Sequence, residues 1–271
     1  MANHLVCLSF DFDALSIWIA LGQTSPTPLS RGEFGVVGVE RILKLLDNEN
    51  IRATFFIPGQ TILTFPSVCL EIHSAGHEIA HHGFAHISPV NMGEEEELTA
   101  LKKGNEAIAG ITGKGASGYR SPAWDLSPNS INLLLQEGFT YDSSMMAHDF
   151  LPYHARSGDQ VDADGVYKFG ESTELIELPI SWSLDDFPHF EYFRGAGLRA
   201  TAGVLENWIG DFDYMQQNAD WGVLTYTCHP FVIGRGHRMF MLQDLILQLK
   251  GKGATFVTAR QAIQEFKRRS D

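Results

Sequence analysis

The chain has 271 residues, 44% hydrophobic and 11% aromatic, ample for a packed core in one large α/β domain or two small ones. Its formal net charge of −13 argues against nucleic acid or an anionic membrane surface as a partner. No run approaches the roughly 18 uninterrupted apolar residues of a transmembrane helix, and three widely spaced cysteines (Cys7, Cys69, Cys228) argue against a disulfide framework or a thiolate zinc site.

The first predicted element is a strand over 5–11, in the stretch LVCLSFDFDALS. Alternation places Ser9, Asp11 and Asp13 on one face and Phe10 and Phe12 on the other. Carboxylates in an apolar strand are costly unless compensated, so the pair marks either a solvated strand end or a metal or acid–base site. The segment 15–34, LSIWIALGQTSPTPLSRGEF, reads as a long aromatic-containing loop that could roof such a site or form a subunit contact. A helix over 35–49 follows, with Val36, Val39, Ile42, Leu43 and Leu46 at amphipathic spacing.

Further along, strands are expected at 52–57, 76–80, 117–119, 139–142, 175–180, 223–228 and 254–257. Helices are expected at 62–75, 94–110, 127–137, 201–217, 239–250 and 258–268. This alternation, with no repeat or linker, implies a single domain over 1–271, barrel-like with a parallel sheet. In such barrels chemistry gathers at the carboxyl ends of strands, where Asp11 and Asp13 stand.

Residues 76–89, GHEIAHHGFAHISP, hold four histidines. On a helical count, His77/His81 and His82/His86 are both i,i+4 pairs, and either could present two imidazoles to one metal. Two histidines with a carboxylate leave positions open for water and substrate, the pattern of a catalytic centre. Near the carboxyl terminus VLTYTCHPF puts His229 at a strand tip. Cys228 must then point the other way, which makes a Cys–His nucleophilic dyad geometrically poor. The start, MANHLVCLSFDFDA, has neither a basic n-region nor an apolar h-region, so a cytoplasmic location is expected.

Together these motifs resemble the polysaccharide deacetylase superfamily, the chitooligosaccharide deacetylase homology domain of carbohydrate esterase family 4. GHEIAHHGFAH matches the family's GHEIGNHTWSH, and the resemblance implies His82 and His86 as metal ligands, with His81 in place of an asparagine. SFDFDA stands where the family has TFDDG, with Phe12 inserted; the likeness implies Asp11 as catalytic base and Asp13 as ligand. The D-x-D variant and SRGEFG resemble the branch of peptidoglycan-deacetylase-like and cyclic-imide-hydrolase-like proteins. Arg120-Ser-Pro-Ala-Trp124 matches the R-x-P-Y/W motif, implying that Arg120 orients Asp11 while Pro122 and Trp124 shape the pocket wall. His229 becomes the general acid, tuned by Asp142, Asp185 or Asp186, among which the sequence does not choose. The resemblance implies a distorted, TIM-like (β/α) barrel of about seven strands. The implied activity is a hydrolase of non-peptide C–N bonds with a divalent metal, zinc, acting on a small-molecule or oligosaccharide substrate. Removal of acetyl from an N-acetylated sugar leads, opening of a cyclic imide or ureide is the alternative, and an inactive binding relic is the non-enzymatic reading. The aromatic segment 186–193, DFPHFEYF, could cover a pocket or form a contact in a homo-oligomer, and tetramers occur in that branch.

Overall fold

Buried, β-branched and aromatic runs build the strands, and the computed structural model describes residues 4–193, 195 and 197–270. The chain runs β1 (His4–Asp11), α1 (Ser16–Ala20), α2 (Pro26–Asn48), β2 (Thr54–Ile57), α3 (Gly59–Thr64), α4 (Pro66–Ser74) and β3 (Glu78–His81). It continues with α5 (Glu94–Thr112), β4 (Gly118–Tyr119), α6 (Ser130–Gln136), β5 (Tyr141–Asp142), β6 (Tyr153–Ser157), β7 (Gln160–Val161), β8 (Tyr167–Lys168) and β9 (Glu171–Glu177). The last part comprises α7 (Asp186–Phe190), α8 (Thr201–Asn218), β10 (Gly222–Cys228), α9 (Pro230–Ile233), α10 (Gly236–Gly251), β11 (Thr255–Phe256) and α11 (Ala259–Ser270).

The main sheet has the order β10-β1-β2-β3-β4-β5-β9-β6, with β11 paired to the start of β1. Pairing is parallel from β10 to β9, and β6 closes the edge antiparallel. This is a curled, barrel-type α/β sheet, as the strand–helix alternation predicts. The curl is not continued by a ladder from β9 to β10. A bridge between Asp185 and Thr227 and the Val223 N–H to Phe150 carbonyl bond stitch that seam. Asp185 and Asp186 are thereby carried to the tip of β10.

The alternation of β1 separates two cores. Phe10 and Phe12 pack outward with α2, α9 and α10 through Val39, Ile42, Phe231 and Leu242, whereas Leu5 and Cys7 pack inward with Phe56, Tyr141 and Val223. Cys228 belongs to the outer cluster.

The segment 15–34 is not the long loop that its Pro, Thr and Ser residues suggest. α1 occupies Ser16–Ala20, and α2 starts at Pro26, which suits a first helical turn where no N–H partner is needed. SRGEFG lies inside α2. Its glycines serve close approach: a Cβ at Gly32 would overlap the Ala14 carbonyl, and one at Gly38 the Pro230 carbonyl. The single helix expected over 62–75 is two, broken between Phe65 and Pro66 because proline disfavours a helical residue before it. The hairpin strands β6, β7 and β8 were not expected from the sequence. They are short and largely polar or exposed, which hides their period.

Candidate active site

Most candidate residues brought to one place stand at, or on the loop after, the carboxyl end of a strand. Asp11 ends β1, Asp13 follows it, His82 follows β3, Arg120 follows β4, and His229 follows β10. They surround a cavity of about 350 Å³ lined by Asp11, Asp13, His82, His86, Trp124, Asp185 and His229, among others.

Asp13 is completely buried and neither carboxylate oxygen has a hydrogen-bond partner among the described residues. Its Oδ1 is 3.4 Å from His82 Nε2 and its Oδ2 is 3.3 Å from His86 Nε2. Burial alone would raise this carboxyl, but the imidazoles of His86, His82 and His229 hold it down at about 2. His82 Nδ1 donates to the Arg120 carbonyl at 2.7 Å, so its Nε2 keeps a free lone pair directed at Asp13. Burial depresses the His82 pKa, favouring this neutral form. An unpartnered buried carboxylate beside two imidazoles, their ligand atoms all within 4.8 Å of one another, fits a divalent metal.

His82 and His86 do not reach Asp13 from a helix, as i,i+4 spacing assumes. They lie on the loop after β3, where His86 takes φ 55°. The other two histidines are elsewhere. His77 precedes β3 and its Nδ1 accepts from Ala53 N–H at 3.1 Å, while His81 ends β3 and its Nε2 donates to the Leu101 carbonyl at 3.0 Å. Burial lowers both to about 4.

Asp11 is held differently. Arg120 Nη1 donates to Asp11 Oδ1 at 2.7 Å and to Ser9 Oγ at 2.9 Å, and the other guanidinium nitrogens bond Ser143 at its carbonyl (3.1 Å) and hydroxyl (3.0 Å). This fully buried arginine leaves Asp11 Oδ2 on the cavity side, 3.9 Å from His82 Nε2. Ser9 shares the inward face of β1 with Asp11, so the same alternation points to it.

Across the cavity His229 Nδ1 donates to Asp186 Oδ1 at 2.8 Å, and Asp186 also accepts the His229 backbone N–H. Asp185 Oδ1 lies 3.5 Å from the same nitrogen and accepts from Phe187 N–H. Burial works against the imidazolium, yet Asp185, Asp186 and Asp13 raise His229 to about 10, leaving Nε2 as a proton carrier 3.8 Å from Asp13. Asp186 is thus the partner of His229, with Asp185 beside it. Asp142 is not: its Oδ1 accepts from Ser144 Oγ, and it stands beside Glu177, its register partner on β9. Burial holds the Cys228 thiol well above its ordinary range, which removes it as a nucleophile.

Trp124 forms part of the wall and stacks on Trp182 at a centroid distance of 4.3 Å. Pro122 does not line the cavity; it packs under the ligand loop, where its ring would meet a Cβ at Gly83. Ile17 and Leu21 from segment 15–34 and Phe187 and Phe193 from segment 186–193 reach the cavity, as expected of a roof or a pocket cover. Trp182, which belongs to no motif, joins them from outside the segments the sequence singled out. Ala14, His86, Ala123 and Trp124 all have φ between 48° and 58°. Such backbone costs on the order of 1–3 kcal/mol per residue and is retained where the surroundings enforce it, here around the cavity.

A curled α/β barrel with an arginine-held carboxylate, a two-imidazole carboxylate trio and a carboxylate-backed histidine defines a hydrolase of the polysaccharide deacetylase class. The chain belongs to that family, carbohydrate esterase family 4: the profile described as "Polysaccharide deacetylase" matches residues 33–141. The chain is 35% identical to the peptidoglycan deacetylase of Helicobacter pylori, over 98% of this chain and 97% of that protein. The crystal structure of a putative polysaccharide deacetylase from Mycobacterium smegmatis superposes with a TM-score of 0.88 at 30% identity, over 100% of this chain and 92% of that one. A Puue allantoinase superposes with a TM-score of 0.78 at 22% identity, over 96% and 89%, a likeness that concerns the fold alone. Asp11 and Asp13 lie ahead of the segment matched by the profile.

Proposed function

We propose that the protein is an N-deacetylase acting on N-acetylated sugar oligomers, with zinc held by Asp13, His82 and His86. The observation that carries this reading is the opposition, across one cavity, of the Arg120-held Asp11 and the Asp186-backed His229, with Asp13 unpartnered between them. The ion, when bound, supplies a Lewis acid for the acetyl carbonyl and lowers the pKa of a water.

Everything else falls to the chain. Asp11 takes a proton from the attacking water through Oδ2, while Arg120 fixes the carboxylate through Oδ1. His229 gives its Nε2 proton to the departing nitrogen, without which an amine is a poor leaving group. Asp186 keeps the other imidazole proton on Nδ1 and aims the ring. The stacked indoles of Trp124 and Trp182 offer an apolar wall against which the CH face of a sugar ring can lie. The α1 region lines the cavity through Ile17, Ala20 and Leu21 and favours oligomers over long polymers.

The test is a panel on metal-loaded protein: N-acetylglucosamine oligomers and polymer beside succinimide, glutarimide and a ureide, scored by released acetate or opened ring. Acetate from oligomers is expected. Ring opening that outruns acetate release would overturn the deacetylase reading, and polymer turnover far above oligomer turnover would overturn the covered cavity.

A further inference from the structure

One buried pair of acids takes no part in the chemistry above. Asp142 ends β5 and Glu177 ends β9; they are register partners in the sheet, and both are wholly buried. Two ionised carboxylates buried side by side repel each other, and a proton on one of them that the other accepts relieves that repulsion. Asp142 Oδ2 and Glu177 Oε2 receive no hydrogen bond from any described residue, which leaves both oxygens free for such a proton. The remaining oxygens are fully used. Glu177 Oε1 accepts the Ser144 and Met145 N–H groups, each at 2.8 Å, and Asp142 Oδ1 accepts from Ser144 Oγ at 2.7 Å. Ser144 Oγ in turn accepts the Ser121 N–H at 2.8 Å, and Ser143 receives two guanidinium bonds from Arg120, the residue that holds Asp11. Contacts therefore run unbroken from the acid pair to the base.

We propose that Asp142 and Glu177 are positioning residues for the hydrolytic base: one proton shared between them locks the ends of β5 and β9 so that Ser143 and Ser144 present Arg120 to Asp11. Burial raises both carboxyls, Glu177 well above its usual range because Asp142 lies against it. The titratable and charged groups facing the pair are Tyr119 on β4, Arg120 beyond it and Tyr153 on β6; Arg120 is the cation among them, and it favours ionised Asp142. Loss of the shared proton at high pH leaves two carboxylates together without water, and the loop bearing Ser143 and Ser144 must give way.

The proposal rests on reading Asp11 as the base, so the test has one arm without substrate. Carboxyl carbon NMR of the full chain should show one member of the pair still protonated at pH 7; if no oligomer is hydrolysed, the functional reading fails while this signal still decides the proton. In metal-loaded protein Glu177→Ala should lower kcat on the order of 100-fold, the scale of a displaced reacting group, with KM and metal content unchanged. Glu177→Gln keeps both acceptor bonds and replaces the proton with an amide N–H. It should restore most of kcat and hold it to higher pH than the wild type. Should Glu177→Ala fail to fold, Ser144→Ala cuts the same path and should lower kcat with KM unchanged. The proposal is overturned by two ionised carboxylates at pH 7, by Glu177→Gln as impaired as Glu177→Ala, or by wild-type kcat in Ser144→Ala.

Discussion

Asp13 sits buried among three imidazoles with neither oxygen bonded by a described residue, so under the proposed metal site removing its charge or either facing ring removes a ligand. Asp13→Asn, His82→Ala and His86→Ala should each lose bound metal and activity together, measured by elemental analysis and acetate release. His77→Ala should keep its metal, because the His77 ring is engaged with the Ala53 N–H and lies outside the group of Asp13, His82 and His86; a metal-free His77→Ala with a metal-replete His82→Ala would reverse the ligand set. Asp11→Asn should retain metal and lose roughly 100-fold or more in kcat, the scale of a general base. A metal-free Asp11→Asn would exchange the roles of the two aspartates. At this scale much of the site was legible. Period-two alternation gave Ser9, Asp11 and Asp13 a common direction and sent Cys228 away from His229. The choice of Asp186 over Asp142 was not legible, because it depends on how the segment after β9 crosses to β10, which no local spacing encodes.

Among elements, α2 carries the sharpest test. An alanine in a helix interior usually stabilises by about 1 kcal/mol relative to glycine. At Gly38 the sign reverses, since the new methyl would run into the Pro230 carbonyl, a backbone atom on α9. Gly38→Ala should lower stability by about 1–3 kcal/mol, read as a drop in Tm, whereas Gly110→Ala on α5, with open space around it, should not. The strands were legible because they are buried runs with few polar interruptions. The start of α2 was not, because Ser25-Pro26-Thr27-Pro28 reads as a turn until the helix behind it is seen to use Pro26 in its first turn.

For the molecule as a whole, buried titratable groups tie stability to pH in two opposed directions. His77 and His81 are buried with pKa values near 4, against about 6.5 in an unfolded chain. The unfolded state therefore binds more protons as pH falls from 6.5 towards 4. The stability these residues provide is complete above 6.5 and is lost across that window, by up to about 3 kcal/mol each. The Asp142–Glu177 pair runs the other way, since its raised values favour the fold at low pH and cost stability as pH rises. Asp185, pushed up to about 7 chiefly by burial, opposes the histidines within the same window, so the test is differential. The Tm of metal-free His77→Gln should fall less, or rise more, between pH 6.5 and 4 than that of the wild type, and identical profiles would contradict a buried neutral imidazole at His77.

The uneven closure of the sheet gives the cavity two kinds of attachment, continuous ladders on one side and a seam on the other. Asp11, Asp13 and the loop of His82 and His86 hang on β1, β2 and β3, which are joined by continuous ladders. Asp186 meets His229 across the seam, where a bridge and an isolated backbone bond replace a ladder. His229 itself hangs on β10, which pairs with β1 over seven register partners, so the ring is anchored to β1 as firmly as the residues opposite while its carboxylate partner arrives from the other side of the seam. A change at the seam would reach the Asp186–His229 bond while leaving in place the ladders beneath Asp11, Asp13, His82 and His86.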